Sequence, residues 1–482
     1  MKPAHPPLRL LPGLLAALLI LWSSALAALD EREALALALR TGFLPTDAEL
    51  AALRPLDWEA AVQGRIDAAT RRAAAPAVRH AEFDREEAAN PLRGRRGAER
   101  REALRERAED IGELQAWWMG EMVGTPAPLL ERMTLFWHGH FPVRFKPVGS
   151  PVLLYRQNQL FRRHALGDYR ALLRGLLRDP AMLIFLDNTR NRKQAPNENL
   201  AREFLELFTL GEGHYRERDI KEAARALTGW GVDADTGEFR IEPRFHDDGE
   251  KEILGARGRF DGDDLVERVL AQPQAARFIT EKLWREFVSP QPVPARVEAL
   301  AAGFRRDWRL DRLLLALLTT PEARDPGLRG QLVKSPVELV VGVSRALALP
   351  VDDGRVLAAA AASQGQALFN PPNVRGWPQG VAWISSQTLL ARLQYLRWVL
   401  GETPQLPAVE DLPGVLVNAA RRQGRSLQAR YREALAGRAE RFPDQGGAAR
   451  WVVIDPLVRL DLAEAPTVRF TQTLLDPSFQ LK

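Results

Sequence analysis

The only clear strand signal in the 482-residue chain runs from Glu238 to Leu254, where Phe239, Ile241 and Phe245 alternate with polar residues and Asp247-Asp248-Gly249 supplies a turn. With one hairpin's worth of sheet to build from, the chain has to bury its apolar residues mainly with helices. From Leu29 to about Val123 it is rich in Ala, Arg and Glu at helical spacing, as in Asp30–Arg40. Two similar apolar runs, Leu172–Asp179 and Leu313–Thr320, are each stopped by a proline, the recurrence of a common helix-stop pattern. The expected fold is mainly α, a multi-helix globular array with one small β-hairpin. Its expected parts are an N-terminal helical region over 28–125, a helical core over 126–400 and a C-terminal helix with an extended tail over 401–482.

Residues 1–27 combine a basic start (Lys2, Arg9), an apolar run from Leu10 to Trp22 and a small-residue exit at Ala25-Leu26-Ala27. That is the pattern of a cleavable signal peptide, and the apolar run is shorter than the roughly 20 residues that cross a bilayer. The expected location is periplasmic or secreted, with no stable membrane span after cleavage. There is no cysteine, which excludes a disulfide framework, a thiolate metal site and a cysteine nucleophile. Lys+Arg 67 nearly balances Asp+Glu 62, and the arginines of 92–107 are interspersed with glutamates, so no nucleic-acid partner is expected.

Three clusters could carry chemistry. Pro196-Asn197 opens a helix that Gly211 closes, and on a regular wheel Glu198, Arg202, Glu203, Glu206, Asn199 and Thr209 share one arc of about 140°. Glu198, Arg202, Glu203 and Glu206 are therefore candidate catalytic residues, as an acid/base set or as metal ligands, against the alternative of a solvated helix face. The preceding loop adds Asn188, Asn191 and Asn197, which with Asn199 are candidate ligand-binding amides. His138-Gly139-His140 at a helix end and His246-Asp247 at the hairpin tip are candidate ligands for a divalent metal, against simple capping of free carbonyls. Arg375, Trp377 and Trp383, in a rigid loop, could form a platform for a sugar ring or pack on the core. Lys334-Ser335-Pro336-Val337-Glu338 resembles a nucleophile with a lysine partner but satisfies a helix capping box.

Taken in order, Phe136–Phe141, Asp179–Met182, Asn197–Gly211, Ala226–Trp230, His246-Asp247 with Lys251 and Leu254-Gly255, Lys334–Pro336 and Pro371–Pro378 resemble the domain of unknown function 1800 family of exported bacterial proteins. The resemblance covers about residues 30 to 400. It implies a mostly helical exported protein, often encoded beside an exported protein resembling the phosphatase and sulfatase superfamily, and no agreed activity. Two functions remain open at this level. One is a hydrolase-like enzyme acting on cell-envelope material at the His/Glu/Asn/Arg site, with or without metal. The other is a non-catalytic binding or assembly factor that holds a glycan or the phosphatase-like partner.

Overall fold

The computed structural model describes residues 28–75, 80, 82–84, 94–349, 354–406, 414–441, 449–457 and 464–482. The predicted signal peptide lies outside them. Helices dominate, and their starts follow local chemistry: Asp30, Thr46, Asp261 and Ser335 each cap a helix and are answered by an acid three residues on. One apolar core runs from Leu29 to Phe479 and draws on all three stretches expected from the sequence. Among the described residues, no helix is long and apolar enough to cross a membrane.

The Pro128–His140 helix is central. Every residue in it except Gly139 is buried, including Glu131 and Arg132, so both polar and apolar faces are surrounded by protein. It packs on the Pro151–His164 and Trp58–Ala74 helices. The Gly97–Gly124 helix lies against Gly354–Ser363, which in turn contacts Gly414–Arg441, tying the C-terminal stretch to the core.

The expected hairpin divides into two. β1 (Trp230–Val232) pairs antiparallel with β2 (Phe239–Ile241), in the register Trp230 to Ile241. β3 (Lys251–Ile253) pairs with β4 (Ala256–Gly258) across Leu254-Gly255, both at positive φ as a tight hairpin turn requires. Between the pairs, Pro243–Phe245 makes a single 3-10 turn. Pro243 has no N–H to give a ladder, and Asp247 accepts hydrogen bonds from Arg225 and from the amide of Gly249 instead of turning a hairpin.

Candidate functional site

The helix opened at Asn197 is not regular. It is α-helical over Asn199–Glu203 and π-helical over Phe204–Thr209, with Leu210 N–H donating to Leu205 at 2.9 Å and Thr209 Oγ1 donating to Phe204 O at 2.6 Å. The widened turn breaks the predicted wheel. Thr209 is fully buried rather than on the polar arc, and Glu198, Arg202 and Glu217 form their own surface ion pairs at 2.8–2.9 Å. Glu206 is turned toward a different neighbour: it accepts from Tyr215 OH at 2.7 Å and lies 3.5 Å from Arg375. Glu203 sits beside that group, its carboxyl pushed up by burial and by the Glu206 charge. The positive φ of Gly211 ends the helix as expected.

The amides of the preceding loop are structural. Asn188 donates to the carbonyls of Leu227 and Trp230, and Asn191 donates to Ala224 and to Asn188. Asn191 also accepts from the Asn197 amide, and Asn197 accepts from that of Asn199. This network fixes the loop on the Glu217–Ala226 helix and β1 and engages the Asn188 and Asn191 side chains internally, while the Asn199 side chain is exposed.

The histidines do not converge on a metal. His138 is 1% exposed, among the rings of Trp118, Phe369 and Trp377, and its Nε2 accepts from the Phe369 amide at 3.0 Å. Burial lowers its pKa to about 3, so it is a neutral core residue. His140 donates from Nε2 to Phe208 O at 3.0 Å, with its pKa lowered by burial and by Lys282. His246 belongs to a separate place, with Nδ1 against Thr228 O at 2.8 Å, while Asp247 is committed to Arg225. Among the described residues, no three His, Asp or Glu side chains are grouped to hold a metal ion. The expected ligand set is corrected accordingly: the lone pair of His138 is already taken by an amide, and the pairs lie on different elements.

Two adjoining cavities remain, meeting at Gly139 and Gln379. The loop carrying Arg375 comes so near the Pro128–His140 helix that a Cβ on Gly376, at φ +82°, would lie 2.3 Å from Gly139 O, so only glycine fits there. On one side, a cavity of about 220 Å³ is lined by His140, Glu206, Lys282, Val374 and Arg375. On the other, a cavity of about 70 Å³ is lined by Arg132, Glu286, Glu338, Trp377, Trp383 and Lys482. Trp377 and Trp383 are nearly buried, packed with Val333 and Leu481, so the loop is anchored rather than a free platform. The Trp377 indole N–H is buried and, among the described residues, without a hydrogen-bond partner.

The smaller cavity is walled by a buried charge network that sequence reading did not assemble. The capping box at Ser335 forms as expected, yet Glu338 also pairs with Arg132 at 2.8 Å and with Lys482, while Arg132 pairs with Glu286. Arg132 and Lys482 together hold the Glu338 carboxyl down, to about 2, against the upward push of burial. Lys334 donates to Phe479 O at 2.6 Å, and its pKa is lowered by burial to about 7. Segment 478–482 thus threads back onto 332–334 and completes the wall. The sequence carried one hint of this, the charged pair Glu131-Arg132 inside an otherwise apolar helix; the partners of Arg132 are about 150 residues or more away and had none.

Comparison with curated proteins and with solved structures gives no match. A family model described as a protein of unknown function (DUF1800) matches residues 36–481, nearly the whole chain. The motifs that wall the two cavities are thus set in a match over nearly the whole chain, and the chain belongs to the DUF1800 family.

Proposed function

We propose that this protein is an exported cell-envelope factor that binds a glycan in the double cleft on either side of Gly139. The observation that carries the reading is the meeting of Glu206 and Arg375, 169 residues apart, at a cavity that also holds Lys282, beside a second, charge-walled cavity. Glycan sites combine such groups: carboxylate, guanidinium and ammonium fix hydroxyls. Export rests on the N-terminal signal pattern. The exposed apolar side chains Val381, Ile384 and Leu390, next to the same loop, are where a phosphatase- or sulfatase-like partner would rest.

Binding is favoured over hydrolysis because the histidines are engaged internally and Glu203 does not line either cavity. A hydrolase-like reading keeps one specific support, the raised pKa of Glu203 beside Glu206, which is how an acid and a base are separated. Titration calorimetry of the mature chain against soluble envelope glycan fragments tests the proposal, with product analysis of the same mixtures. Binding without turnover, weakened at least tenfold by Glu206→Gln, is expected. Turnover abolished by Glu203→Gln would replace the binding reading with the hydrolytic one, and no binding of any fragment would refute both.

A further inference from the structure

The larger of these two cavities contains a lysine that pairs with no carboxylate among the described residues. Lys282, on the Pro273–Phe287 helix, has no hydrogen bond or ion pair to any described residue; its ammonium lies 5.1 Å from the Phe278 ring centroid. Desolvation lowers its pKa to about 8, and the nearby cations Arg285 and Arg375 push it the same way. Arg285 is turned to Glu281, and Arg375 reaches Glu206 only at 3.5 Å with its side chain 70% exposed. Glu212, on the same wall, is exposed to solvent. His140 is neutral and gives its Nε2 proton to Phe208. Lys282 is partly exposed on the cavity wall, so its unpaired ammonium is open to an anion that enters the cavity.

We infer that the glycan bound in this cleft carries an oxyanion, and that Lys282 and Arg375 hold it while Glu206 accepts from a neighbouring hydroxyl. The inference rests on the glycan-binding reading and narrows its substrate class to acidic saccharides. The cavity volume of about 220 Å³ is below the roughly 300–1,000 Å³ of sites for larger organic ligands, in keeping with one acidic sugar unit. An ammonium and a guanidinium form the two kinds of charge-assisted bond a carboxylate or phosphate accepts.

The test is titration calorimetry of the mature chain with D-galacturonate, D-galactose and inorganic phosphate at pH 6.5 and constant ionic strength. The wild type is expected to prefer galacturonate to galactose at least tenfold, and that ratio to fall toward one in Lys282→Gln and in Arg375→Gln. Arg375 is largely exposed, so its variant reports on the site even where Lys282→Gln folds poorly by circular dichroism. Equal affinity for galactose and galacturonate in the wild type would overturn the oxyanion assignment while leaving glycan binding standing. Phosphate binding as tightly as galacturonate would overturn the saccharide part of the assignment. No binding of either sugar would overturn the inference together with the reading beneath it.

Discussion

Replacing His138 by phenylalanine separates a structural histidine from a ligand. The ring bulk among Trp118, Phe369 and Trp377 is retained, but the Nε2 acceptor for the Phe369 amide is lost. A buried amide left without a partner costs about 1–3 kcal/mol, so the variant should be less stable by that amount at pH 7. Acid reverses the order. The folded pKa of about 3 lies below the ordinary 6.5, so between these values the unfolded chain binds a proton that the native ring refuses. Wild-type stability therefore falls as pH drops from 6.5 toward 3, by about 1.4 kcal/mol per pH unit from this group and by at most about 4–5 kcal/mol in all. His138→Phe has no such slope, and the two stability curves should cross near about pH 5, where the accumulated loss matches the missing hydrogen bond. Urea denaturation from pH 4 to 7.5, with metal analysis of both proteins, reads this out. Parallel curves at all pH values would refute the buried acceptor role. Near-stoichiometric metal that disappears with His138→Phe would refute it in favour of the ligand role.

Other consequences can be checked with the same protein. Glu338→Ala removes the capping box and leaves Arg132 buried with only Glu286, and should destabilise the chain by about 3–5 kcal/mol in urea. Thr209→Val keeps the volume but loses the bond to Phe204 O, and should cost about 1 kcal/mol while lowering glycan affinity as the Glu206 turn loosens. Lys282 has a folded pKa of about 8 against an ordinary 10.5, so the unfolded chain holds its proton longer and native stability should rise from pH 8 to 10.5. Lys282→Met should flatten that rise in urea titrations, and galacturonate affinity of the wild type should fall above pH 8 as the ammonium discharges.

What could be read in the sequence was local. The box Ser335-Pro336-Val337-Glu338 lies within one turn, and its geometry follows from residue types at fixed spacing. The second hairpin turn at Leu254-Gly255 was not read, because a leucine at positive φ gives no turn signal of its own. The polar arc of Asn197–Gly211 failed for a different reason: a wheel assumes 3.6 residues per turn, and the π-turn at Phe204–Thr209 rotates every later residue away from that assumption. The histidine cluster was misleading because a helix surrounded on all sides buries His138 and His140 alike, and periodicity cannot distinguish a buried acceptor from a ligand. Lys282 and Lys482 were invisible as site residues, since what marks them is the absence or presence of charges brought near only by the fold.

The distribution of the motifs gives a physical reason to place function at the cleft. Phe136 and His140, Glu206 and Gly211, Ser335, and Arg375 and Trp377 come from four separate motifs, and all line one cavity or the other. The remaining motifs close a different structure: Asp179 caps the Pro180–Phe185 helix, and the Ala226–Trp230 turn supplies the carbonyls that hold Asn188 and His246. The polar side chains of the second group that these bonds engage, Asp179, Asn188 and His246, find their partners within the fold. The first group is less fully engaged, because it includes the largely exposed Arg375 guanidinium and faces the Lys282 ammonium, which pairs with no described residue. Polar groups that a fold leaves unmatched in a cavity are unfavourable in the free protein, and a ligand that supplies their partners gains what the fold alone forgoes.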